Sequence, residues 1–199
     1  MSITKKSSRY DFSIIANWVP SDSKVLDLGC GDGELLNYLK AKKNVTGFGV
    51  EKDELNWLDA LKNNIDVIQL DIESGLSEFE TNSFDVVILS KTIQSMQNTE
   101  IVIKEMLRIG KHVIVTFPNF GYWKNRLQIL SGKMPTSDEL PYAWFDTPNI
   151  HLCTIEDFDN FCQKYRFKIT DRKILTDKKS VEILPNIFGA LALYKLVSK

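Results

Sequence analysis

The sequence predicts an α/β fold: a doubly wound, mostly parallel sheet ending in a C-terminal antiparallel hairpin. Three observations carry this reading. Short apolar runs alternate with helical patterns from Lys24 to Phe117. A glycine-rich turn joins the first run to the helix behind it. Two further apolar runs, Phe167–Leu175 and Ala190–Val197, have Pro185, Asn186 and Gly189 between them and no helical pattern. Alternating strands and helices bury both faces of a parallel sheet, whereas two consecutive strands pair antiparallel at its edge.

The elements follow in order. Lys24–Leu28 reads as a buried strand, followed by Gly29-Cys30-Gly31-Asp32-Gly33 and a helix with Leu35, Leu36 and Leu39 on one face. Val45–Val50 is a second strand, ending at Glu51. Asp53 is placed to cap the next helix, whose apolar positions are Leu55, Leu58 and Leu61. Asp66–Leu70 and Phe84–Leu89 are the third and fourth strands. Ile101–Ile109 is helical with Gly110 as its stop, and His112–Phe117 is the fifth strand, halted by Pro118. Residues 119–150 break the rhythm, being too long for an ordinary connection. They hold six of the 21 aromatic residues, and Pro135, Pro141 and Pro148 stiffen them. The stretch reads as an insertion within a single domain of 199 residues, either a lid or a partner surface, with Leu127–Leu130 in a short helix.

Composition excludes several classes. Lys+Arg 25 against Asp+Glu 26 gives a net charge of -1, without the basic excess of a nucleic-acid binder. Residues 51–85 carry a net of -8 and residues 163–179 a net of +5, the latter most simply a solvated face. Three unpatterned cysteines and two histidines give neither a disulfide framework nor a metal site. Residues 1–12 lack the apolar run of a secretory signal, and no run approaches the roughly 20 residues that span a bilayer. A cytoplasmic protein without membrane or nucleic-acid partners is expected.

The strongest signal is the loop Asp27–Gly33. Glycines at a strand-to-helix turn let backbone approach a ligand closely. The dinucleotide spacing would need a glycine where Glu34 stands, and a carboxylate there repels a pyrophosphate. Asp27, inside the strand end, suits a cationic amine. Glu51, at the end of the second strand, suits ribose hydroxyls. Asp71 lies beside the expected adenine position, with Ile72 to press on the ring. Such a set describes a nucleoside with an amino-acid tail and no phosphate, S-adenosylmethionine (or its product S-adenosylhomocysteine). Gly29, Cys30, Gly31, Gly33, Lys52 and Ser90 complete the predicted cofactor-binding set.

These residues resemble the class I methyltransferase pattern, which implies a seven-stranded sheet with one antiparallel strand. Longer stretches are similar to the methionine-biosynthesis MetW family: Ile14–Pro20, Val25–Leu36, Phe84–Gln94, Phe117–Trp123 and Leu140–Thr154. Lys91 stands where that family's pattern has glutamine. The resemblance implies a role in methionine biosynthesis as an accessory to homoserine O-acetyltransferase. The alternative is an active methyltransferase on a small metabolite.

Candidates for a general base are few. The loop Ser90–Gln94 has no histidine or carboxylate, and Gln94 can hold an acceptor without deprotonating it. His151 and Asp146 are the weak candidates that remain. Cys153 is a third thiol without an assignable partner. Tyr10 and Trp18 precede the first strand, where an aromatic face could meet a sulfonium, or Trp18 could pack on the sheet.

Overall fold

The computed structural model describes residues 9–177 and 179–198. In chain order the elements are α1 (Tyr10–Trp18), β1 (Lys24–Leu28), α2 (Glu34–Lys43), β2 (Thr46–Glu51), α3 (Glu54–Lys62), β3 (Val67–Gln69), α4 (Ile72–Gly75), β4 (Phe84–Ser90), α5 (Thr99–Ile109), β5 (Gly110–Pro118), α6 (Trp123–Leu130), α7 (Ile155–Tyr165), β6 (Lys168–Thr176), β7 (Lys179–Ser180), α8 (Pro185–Phe188) and β8 (Leu191–Val197). The strands form one sheet in the order β3-β2-β1-β4-β5-β8-β6-β7. All pairs from β3 through β5 are parallel, and β8 runs antiparallel to both β5 and β6.

Alternation along the strands explains the two cores. Leu26, Leu28, Val87, Leu89, Val113, Val115 and Phe117 face one side, packing with Val102, Ile103 and Met106 of α5 and Phe158 of α7. Val25, Val86, Ile88 and Ile114 face the other, packing with Phe12 and Ile15 of α1 and Leu35, Leu36 and Leu39 of α2. Both faces are dry, which is why the strands read as continuous apolar runs. Tyr194 stacks on Phe117 with ring centroids 5.7 Å apart, and its hydroxyl donates to Asp159 Oδ1 at 2.7 Å.

Three expectations need correction. The sheet has eight strands, not seven. The extra strand is the two-residue β7, which pairs Thr176 with Lys179 and Leu175 with Ser180; exposed Lys and Ser leave no apolar period to read. The terminal antiparallel pair lies on the β5 edge as expected, with β8 against β5 and β6 outside it. Its connection contains the one-turn α8, with Pro185 in its first turn, where a missing N–H costs nothing. The leucines of α3 do not form a core stripe: Leu55, Leu58 and Leu61 are exposed, and Ala60 is that helix's buried residue.

Gly110 does follow α5, but for a different reason than a left-handed cap. Its φ is -112°, an extended conformation that starts β5 directly. A Cβ there would sit 2.6 Å from Val87 Cγ2, so packing excludes a side chain. The predicted caps hold: Asp53 accepts from Asn56 N at 3.0 Å, and Thr154 forms a capping box with Asp157. Gly110→Ala is expected to lower stability by about 1–3 kcal/mol, the range for overpacking a filled core. Urea unfolding against the wild-type protein measures it, with Lys111→Ala on the exposed neighbour as the near-neutral control.

Candidate functional site

The strand order reverses between β1 and β4, and in open α/β sheets ligands bind where such a reversal opens a crevice at the strands' C-terminal ends. The glycine loop lies there. Gly29, Gly31 and Gly33 all have positive φ, at 68°, 57° and 79°. Gly29 is pressed against Thr92 and Gly33 against Ile65, where a Cβ would stand 2.6 Å from each side chain. Gly31 is different. Its missing Cβ faces open space, with nothing within 4 Å, so this glycine leaves room for a ligand.

Below the loop, Asp27 is 1% exposed and its Oδ1 has no hydrogen-bond partner. Burial, then the nearby Glu51 charge, raises its carboxyl to about 8. An orphaned buried carboxylate oxygen is costly, and a ligand bringing an ammonium group or another donor would relieve it. Glu51 binds the loop from the next strand: Oε2 accepts from Gly31 N at 2.9 Å, while Oε1 accepts from Lys52 N and Asp53 N, both at 2.8 Å. Carboxylate oxygens take more than one donor, so ribose hydroxyls could still be accepted.

The other predicted binding residues lie where their strands end. Asp71 caps α4 through Glu73 N at 3.0 Å and is paired with Lys52 Nζ at 2.6 Å, which holds its carboxyl below the usual range. That pair is largely exposed and easily exchanged for another donor. Ile72 is 6% exposed and belongs to the core beneath the rim. Ser90 Oγ is 3.2 Å from Thr116 Oγ1, and Lys91 N donates to the same hydroxyl at 3.0 Å, joining β4 to β5. Cys30 is buried with its thiol pushed far up by desolvation, and Gly49 lacks a Cβ where the sulfur lies.

The catalytic candidates fare differently. His151 and Asp146 are exposed, and neither side chain makes a hydrogen bond or ion pair among the described residues. Only the backbone of His151 approaches the site, donating to Gln94 O at 2.9 Å beside Ile150 N at 2.8 Å. Burial pushes the Cys153 thiol up to about 12, which removes it as a nucleophile. Trp18 packs away from the loop, its indole N–H donating to Asp171 Oδ2 on β6 at 2.9 Å. Tyr10 lines a separate cleft. Among the described residues no cluster of three His, Cys, Asp or Glu is arranged to hold a metal, and no helix is long and apolar enough to cross a membrane.

A charge cluster absent from the sequence reading lies in this separate cleft of about 1120 Å³, lined by α1, Lys91, the insertion and the end of β6 and by none of the predicted cofactor residues. Arg9 pairs with Asp11 at 3.0 Å and with Glu34 at 3.2 Å. Lys91 pairs with Glu139 of the insertion at 2.7 Å and approaches Asp11 at 3.9 Å. The signal available beforehand was Lys91 itself, the departure from the family's glutamine. Each carboxylate of the cluster is paired with a cation.

Comparison with known proteins accords with this geometry. The methionine biosynthesis protein MetW family matches residues 9–196. The chain belongs to the MetW family. It is 38% identical over 157 residues to the bifunctional methionine biosynthesis protein MetXA/MetW of Rhodopirellula baltica, covering 74% of this chain and 25% of that protein. The chain thus spans about a quarter of the length of the curated relatives it matches. Its fold is similar to that of an S-adenosylmethionine-dependent methyltransferase from Mesorhizobium loti, with TM-score 0.70 and 14% identity, covering 95% of this chain and 98% of that one. A similar match to a methyltransferase of the same kind from Archaeoglobus fulgidus has TM-score 0.69 and 14% identity, covering 96% and 95%. The sheet is therefore of the class I methyltransferase kind.

Asp27 predicts a pH dependence. Its folded value of about 8 lies above an unfolded value of about 3.9, so the protonated native form is favoured. Its contribution to stability is complete below the unfolded value and is lost as pH rises through about 8. Thermal melting without ligand should show wild type losing stability between pH 6 and pH 9, and Asp27→Asn losing less.

Proposed function

We propose that this chain binds S-adenosylmethionine at the C-terminal edge of the sheet and acts as an accessory or regulatory partner of homoserine O-acetyltransferase in methionine biosynthesis. The observation that carries the reading is the orphaned Asp27 carboxylate beneath an open glycine loop. It fits a cationic amine and would be intolerant of a phosphate. Asp27 would hold the amino-acid tail, Glu51 the ribose, and the rim at Asp71 and Ile72 the base, with Gly29, Cys30, Gly31, Gly33, Lys52 and Ser90 lining the bed. The bound cofactor would supply an activated methyl group. The chain's own groups offer little to use it: Asp11 and Glu139 are ion-paired, while His151 and Asp146 lie exposed. The MetXA/MetW name of the Rhodopirellula protein supports the acyltransferase as partner. The free cysteines match a reducing cytoplasm.

A regulator must bind its effector differently in two states. The insertion gives the glycine loop a way to be felt elsewhere, since Lys91 and Gln94 hold it to the loop after β4, whose Thr92 presses on Gly29. A second reading, methyl transfer to a small metabolite, is favoured by the size of the cleft, whose lining includes Tyr10, Tyr122 and Thr176. Release of labelled methyl from S-adenosylmethionine into a metabolite extract would support it.

Two measurements test the main reading. Calorimetric titration with S-adenosylmethionine should show binding that Asp27→Asn weakens by at least about tenfold, the scale of a lost charged hydrogen bond. Homoserine acylation by the cognate acyltransferase, with and without this protein and with and without S-adenosylmethionine, should change rate only when this protein is present. An unchanged rate in all four mixtures removes the accessory role.

A further inference from the structure

We infer that the exposed apolar side chains of the insertion form the surface on which the acyltransferase docks. The inference rests on the accessory reading and adds to it the place of contact. Nine of the twenty large hydrophobic side chains exposed among the described residues lie in the insertion, residues 119–150. Single exposed apolar residues are ordinary, but such a concentration marks an interaction site.

The helix α6 shows the pattern most sharply, because it is inside out. Its buried residue is Asn125, whose amide donates to Asn119 O at 3.2 Å and Phe120 O at 3.4 Å. Its exposed residues include Leu127 at 54% and Leu130 at 82%. A surface helix with its outer face left in water carries the reverse arrangement, apolar residues beneath and polar ones outside. Further along, Trp144 and Phe145 are both 73% exposed and meet edge to face, ring centroids 5.8 Å apart. Around them, residues 140–152 carry a single formal charge, Asp146. Exposed paired aromatics with few charges are the composition of an interface core.

The occupant is argued from the fused relative. In the Rhodopirellula protein the matching region occupies a quarter of a chain named for both MetXA and MetW. A covalent tether keeps two such parts at high effective concentration. Where the two parts are separate chains, the surface itself must supply the affinity. The rival face, Leu55, Leu58 and Leu61 on α3, is interleaved with Glu54, Asp59 and Lys62 and is better suited to water.

The test is the dissociation constant between the purified acyltransferase and three double variants of this chain. Trp144→Ser with Phe145→Ser, and Leu127→Ser with Leu130→Ser, should each weaken binding by at least about tenfold, as removal of interface anchors does. Leu55→Ser with Leu58→Ser should leave it within about twofold, since contacts outside an interface contribute little. All three should melt like wild type, because the side chains removed are exposed. Weakening confined to the α3 variant would overturn this surface and leave the accessory reading standing. Wild-type protein that does not bind the acyltransferase would end both. A wild-type dimer in sedimentation, made monomeric by the insertion variants, would reassign the surface to a second copy of this chain.

Discussion

The Glu51 carboxylate holds the ligand-facing edge together. It ends β2, lies beside the loop that follows β1, and takes three backbone N–H groups, two from its own turn and one from Gly31. Without those acceptors, the glycine turn would leave the Gly31 N–H unpaired and the turn after β2 two more. The same charge lies close enough to Asp27 to make ionisation there harder. One side chain therefore shapes the loop and sets the electrostatics of the group below it. Preserving the first duty constrains the second.

On the other flank, Asn119 does comparable work with an amide. Its Nδ2 donates to Asn186 O at 3.1 Å and Gly189 O at 2.8 Å, and its Oδ1 accepts from Gly121 N at 2.9 Å and Ile155 N at 3.3 Å. Four segments meet there: the end of β5, the start of the insertion, the N-terminus of α7 and the end of α8. An amide fully satisfied in a buried position rigidifies what surrounds it. The Phe117–Trp123 stretch owes its particular sequence to this hub as much as to any ligand.

Much of the fold was legible because buried strands and capped helices leave local patterns. Leu35, Leu36 and Leu39 announce the face of α2, and Asp53 and Thr154 announce their helices through side chains that bind backbone three residues on. What escaped has no local period. The two-residue β7 owes its existence to β6, and the leucines of α3 mimic a core stripe while facing water. Of the candidate site, the glycine loop and Asp27 were readable since a strand-to-helix turn needs those residue types. The Arg9–Asp11–Lys91–Glu139 cluster was not, because Lys91 and Glu139 are 48 positions apart and only the folded insertion brings them together.

The insertion is pinned where it leaves the sheet by Asn119 and where it returns by the carbonyl of Gln94, which takes two successive N–H groups. Closing a loop between fixed ends costs an entropy that grows only with the logarithm of its length. Residues between the two pins can therefore lengthen, shorten or change character at small expense to the sheet. A change of length there is felt by the insertion and hardly at all by the bed of glycines beneath.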